Sequence, residues 1–96
     1  MKNNYMSRSS FEESLIKFGF NKKENKFSDC YVFYDKLCDN YYYINFYNNC
    51  TTFSIGDKFE TTQDLYITRN FNMYKIYKII KVIFRDFLKP KQNNKH

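Results

Sequence analysis

Three cysteines, at positions 30, 38 and 50, and a single histidine, His96, are the residues of this chain best equipped for metal or nucleophilic chemistry. A zinc site needs three or four nitrogen or sulfur ligands in fixed geometry. Here the cysteines form no C-x-x-C pair and the histidine is the last residue. Without an internal histidine, a Ser-His or Cys-His nucleophile pair has no base, and no glycine-rich loop is present to cradle a phosphate. Glu24-Asn25-Lys26 matches the acid-x-lysine element of metal nucleases, with Asp29 or Asp35 as partner carboxylates. So short a match arises by chance in a lysine-rich chain. The expected role is binding without catalysis, with no cofactor and no metal.

Binding chemistry is concentrated in two other places. At 100° per residue, Lys75, Lys78, Lys81, Arg85 and Lys89 gather on one side of the segment that starts at Asn72. Met73, Ile76, Tyr77, Ile80, Ile83, Phe84 and Phe87 gather on the other. The basic side suits phosphates or an acidic patch on a protein, although a plain solvated face has the same pattern. The apolar side is the best cover for a small sheet, so a membrane-surface role would take it from the element that needs it. The second place is a run of tyrosines. On the strand expected at residues 40–48, Tyr41, Tyr43 and Tyr47 share one face, with Tyr31 and Phe33, or Cys30 and Tyr34, beside them. Left uncovered, such a face serves protein interfaces and single-strand RNA platforms alike. "DCYVFYDK" lacks the glycine and the leading basic residue of the common RNA-recognition strand, which leaves a protein-binding or self-association face, or tyrosines half-buried beneath loops or long helices.

Charge position supports two distinct surfaces. Residues 1–28 carry six cations against three carboxylates, residues 29–71 three against six, and residues 72–96 seven against one. A basic end thus faces a mildly acidic middle. Residue counts are weaker testimony: Ala is absent, Gly numbers 2 and Pro 1, while Lys, Asn, Tyr, Phe and Ile abound, the mark of AT-rich coding DNA.

The elements that must position these residues follow from periodicity. With 96 residues, 43% hydrophobic and 27% charged, the chain is expected to form a single domain over 1–96, with a frayed start at 1–8 and a disordered basic tail at 90–96. A short helix is expected over 11–18, capped by Ser10 with Glu13 in capping-box spacing and ended by Gly19 in the left-handed conformation. "NKKENK" reads as a polar loop. From Phe27 the period becomes two, giving strands in "FSDCYVFYDKL", "NYYYINFYN" and "CTTFSI". "DLYITRNF" is either a fourth strand or, over 65–71, a helical turn. Asn72 opens a long amphipathic helix that ends before Pro90. The expected fold is α+β: a three- or four-stranded antiparallel meander with both helices on one face.

The odd cysteine count and the lack of a signal peptide imply free thiols in a reducing cytoplasm. No stretch approaches the length of an apolar membrane span. In this general character, a compact AT-rich chain with free cysteines and no catalytic set, it resembles the small accessory proteins of phages and other mobile elements, anti-CRISPR and other anti-defence inhibitors among them. The resemblance implies an inhibitor docked on a larger protein or ribonucleoprotein, such as an RNA-guided nuclease. The alternatives are a stand-alone RNA or single-strand-binding module and a homodimer paired through the tyrosine face.

Overall fold

The computed structural model describes residues 4–24 and 28–85. Five antiparallel strands form one sheet in the order β1-β2-β3-β4-β5, a simple meander, flanked in sequence by helix α1 (Arg8–Phe18) and helix α2 (Tyr74–Ile83). The strands are β1 (Asn21–Lys23), β2 (Asp29–Asp35), β3 (Asn40–Phe46), β4 (Thr51–Gly56) and β5 (Thr61–Thr68).

The three strands with period-two apolar patterning occur as expected, and the ambiguous fourth is a strand from Thr61 onward, with Arg69–Phe71 as loop. The fifth strand corrects the reading of "NKKENK" as a loop. Asn21, Lys22 and Lys23 pair with Val32, Tyr31 and Cys30 of β2. All three side chains are exposed, so this edge strand rests on backbone pairing and carries no alternation for a sequence pattern to register.

Helix α1 begins three residues earlier than expected, and its cap is Ser7, not Ser10: the Ser7 hydroxyl accepts the Ser10 N–H at 3.3 Å. Serines at 7, 9 and 10 all suit a cap. The outermost one prevails, and an added turn carries Arg8 to Glu12 at 3.3 Å and to Asp29. At the other end Gly19 takes φ 108°, and its N–H and that of Phe20 satisfy the last helical carbonyls, from Leu15 and Ile16. Phe20 folds back into the core.

The N-cap of α2 is Met73, which makes no side-chain cap bond, and the expected cap Asn72 stands one residue before it, its Oδ1 taking the N–H of Tyr74 at 3.0 Å and that of Met6 at 3.0 Å. Its amide nitrogen donates to the Asn4 carbonyl at 2.9 Å, and Met73 N–H donates to the Met6 carbonyl at 2.9 Å, so the two helix entrances are bound together. The expected continuation of α2 toward Pro90, with Phe87 and Lys89, and the tail at 90–96 lie outside the described residues.

The core lies between one sheet face and the apolar sides of both helices. Phe11 and Leu15 of α1, Ile76 and Ile80 of α2, and Tyr31, Ile44, Phe46 and Phe53 of the sheet form one buried cluster with Phe20 and Met73. Each large apolar side chain so buried contributes about 1.5–3 kcal/mol by removal from water. Phe18, Phe20, Phe33 and Phe84 extend the cluster through ring contacts at 4.7–5.9 Å, within the range of favourable aromatic packing. No helix among the described residues is long and apolar enough to cross a membrane.

Candidate functional site

The outer face of α2 follows from its inner one. Once Met73, Ile76 and Ile80 are buried, the helical period leaves Lys75, Lys78 and Lys81 exposed on the opposite side. Lys78 Nζ sits 5.7 Å from the Tyr74 ring centroid and Lys81 Nζ 5.3 Å from that of Tyr77, both i,i+4 contacts on the helix surface. These contacts hold the lysine stems along the helix without neutralising the charge. Arg8 is paired with Glu12 and Asp29, and no described carboxylate answers Lys75, Lys78 or Lys81. Arg85 is exposed one turn further on and has an interaction of its own. Lys89 lies outside the described residues. Three of the five expected cations thus stand together as an uncompensated stripe.

Of the two sets expected beside the β3 tyrosines, the register selects Cys30 and Tyr34 and rejects Tyr31 and Phe33. Antiparallel partners share a sheet face, and Tyr31 pairs with Ile44, so it belongs to the core face. It is 5% exposed there, edge-on to Phe46 at 6.0 Å. On the back face Tyr34 lies beside Tyr41, Val32 beside Tyr43 and Cys30 beside Asn45, the second of the two expected sets. Tyr43 is only 6% exposed, although no described helix covers it. Its hydroxyl donates to the Asp57 carbonyl, and burial, reinforced by the Asp57 charge, pushes its phenol above the ordinary range. Tyr41 is half-buried against the Tyr34 ring, 4.6 Å away, and the Tyr34 hydroxyl donates to Asp39 at 3.0 Å. Beside Tyr43, Ser54 donates to Asp64 at 2.6 Å. The back face is therefore closed at its centre by side chains in contact with one another, with Tyr34, Tyr47 and, on β5, Ile67 exposed at its margins.

Tyr47 serves a different neighbourhood. Beyond the end of β3 it joins Asn48 and Asn49 of the β3–β4 turn, Arg8 of α1 and the Arg69-Asn70-Phe71 loop around a cleft of about 470 Å³. Phe46, Thr51 and Met73, all buried, form its inner wall. Periodicity does not mark this cleft, because its residues come from turns. The signal available was compositional: "YNN" at 47–49 and "RNFN" at 69–72 each join an aromatic ring to asparagine amides.

Asp35 is the buried carboxylate among the described residues. One oxygen accepts the Leu37 N–H at 3.0 Å and the other has no hydrogen-bond partner. Its charge raises the thiol of nearby Cys38 above the usual range. Cys30 is raised by burial, so neither thiol is disposed toward thiolate chemistry at neutral pH. Among the described residues no three His, Cys, Asp or Glu side chains are grouped as a metal site would require.

Comparison with protein-family models, with curated proteins and with solved structures finds no match to this chain.

Proposed function

We propose that this chain is a non-enzymatic binding protein that docks on a nucleic-acid-handling complex, with the outer face of α2 laid against phosphate. The observation that carries this reading is the stripe of Lys75, Lys78 and Lys81, exposed and unanswered by any described carboxylate on a helix whose other side is consumed in the core. Three ammonium groups within two turns of one helix carry the sign that a phosphate backbone requires and gain from counterion release on contact. The sheet lies beneath the apolar side of α2, so the rim tyrosines of the back face look away from the stripe. Two surfaces turned in opposite directions suit a protein lodged between a bound nucleic acid and the protein that holds it, the position of an inhibitor of an RNA-guided nuclease.

The test is a charge reversal. Lys75→Glu, Lys78→Glu and Lys81→Glu together, all on exposed side chains, are expected to leave the thermal transition within a few degrees of wild type. Binding to single-stranded RNA, free and loaded on an RNA-guided nuclease, is expected to fall more than tenfold. Unchanged binding to both would remove α2 from the interface.

A further inference from the structure

The cleft beside the β3–β4 turn holds a set of groups that the α2 reading does not use. Arg69 forms no ion pair or hydrogen bond with a described residue, whereas Arg8 is fixed by Glu12 and Asp29 with its guanidinium 4.1 Å above the Phe46 ring. Phe71 is 82% exposed and Tyr47 46%, so the cleft presents two ring faces on which a planar group can stack. The side-chain amides of Asn48 and Asn49 bond to no described residue. Asn70 turns its carbonyl oxygen inward, to the Asn72 N–H at 2.8 Å and the Thr68 hydroxyl at 3.1 Å, which leaves its NH2 group as an unused donor.

An unpaired guanidinium, two exposed rings and three amides are the groups that recognise a nucleotide. Arginine takes the phosphate, an aromatic ring stacks on the base whatever its identity, and an asparagine amide presents donor and acceptor together to a base edge. The volume of about 470 Å³ lies within the range of small-ligand sites. We infer that the cleft binds one nucleotide unit, with its phosphate on Arg69, its base against Phe71 and its base edge toward Asn48 and Asn49. The unit is either a free nucleoside monophosphate or the phosphorylated end of a single strand. The site goes beyond the α2 reading and stands apart from it, since no lysine of α2 lines the cleft.

The experiment uses the full chain labelled with 15N and titrated with AMP, with adenosine and with inorganic phosphate. AMP is expected to shift the backbone amide signals of Asn48, Asn49, Asn70 and Phe71 saturably, and more tightly than adenosine or phosphate alone. Arg69→Ala and Phe71→Ala, both at exposed side chains, are each expected to weaken AMP at least tenfold with the fold retained. The variant reversed at Lys75, Lys78 and Lys81 is expected to bind AMP as wild type does, which separates failure here from failure of the α2 reading. A second arm compares AMP with an adenosine tetranucleotide bearing a 5′-phosphate or a 5′-hydroxyl. Tighter binding of the phosphorylated strand assigns the cleft to strand ends, and equal binding of AMP assigns it to free nucleotide. The inference is overturned if AMP produces no saturable shift at those residues. It is equally overturned if phosphate alone matches AMP, if either cleft variant binds as wild type, or if the α2 reversal abolishes the shifts.

Discussion

On the core face of the sheet, Ile44 and Phe53 reach near-zero exposure by joining Leu15, Ile76 and Ile80 from the two helices, whereas on the back face Tyr43 and Ser54 reach nearly the same exposure with no described helix above them. The first face is closed by layer packing, whose strength grows with the apolar area removed from water. The second is closed laterally, by Tyr43 bonding to the Asp57 carbonyl, Ser54 to Asp64 and Tyr34 stacking on Tyr41. Low exposure therefore has two meanings within one sheet. A tyrosine-rich strand face becomes an open platform only where such lateral contacts are missing, and among the tyrosines of this face that leaves Tyr47 at the rim.

Substitutions on the two faces sharpen this contrast. Phe53→Ala on the core face is expected to cost about 3–5 kcal/mol in denaturant unfolding, because it removes a large ring and leaves a cavity. Tyr43→Phe on the back face keeps the ring and loses one hydrogen bond, so about 1 kcal/mol is expected. Equal losses at the two positions would break the distinction.

Asp57 gives a smaller, pH-dependent effect. Its carboxylate accepts the backbone N–H groups of Phe59 at 2.8 Å and Glu60 at 3.0 Å, and these bonds lower its pKa below the ordinary carboxylate value. A group depressed on folding lends its stability above the unfolded pKa and loses it as pH falls through the folded one. The contribution is thus present at neutral pH and fades below about pH 4. Asp57→Asn keeps an acceptor without the titration and is expected to flatten the acid limb of the stability profile, measured by denaturant midpoints from neutral to acid pH.

The smallest effect is kinetic and leaves stability untouched. Cys30 lies in the back-face layer at 6% exposure, with its thiol raised by burial, while Cys38 is exposed in the β2–β3 turn. Alkylation followed by mass spectrometry is expected to modify Cys38 in the native protein and Cys30 only on unfolding. Comparable native rates would mean that the back layer opens readily.

Much of the fold was legible because burial imposes a period. The alternation in β2, β3 and β4 and the two sides of α2 follow from one rule, that apolar residues recur where an element meets the core, and the cap at Gly19 from glycine's freedom at positive φ. β1 escaped because an exposed edge strand has no such period, and the Ser7 cap because three nearby serines were equally suited. The candidate sites divide the same way. The lysine stripe is periodic and was visible. The face of Tyr31 depends on register between strands, which one strand's pattern does not specify. The cleft at Arg69 and Phe71 is assembled from turns distant in sequence.

The central claim is that α2 meets phosphate through Lys75, Lys78 and Lys81, and its most direct test is the salt dependence of single-stranded RNA binding. Three phosphate contacts predict that log K falls against log salt with a slope of about −2, reduced by about 0.7 for each of these lysines replaced by glutamine. A slope near zero, or one unchanged in the triple variant, would contradict it.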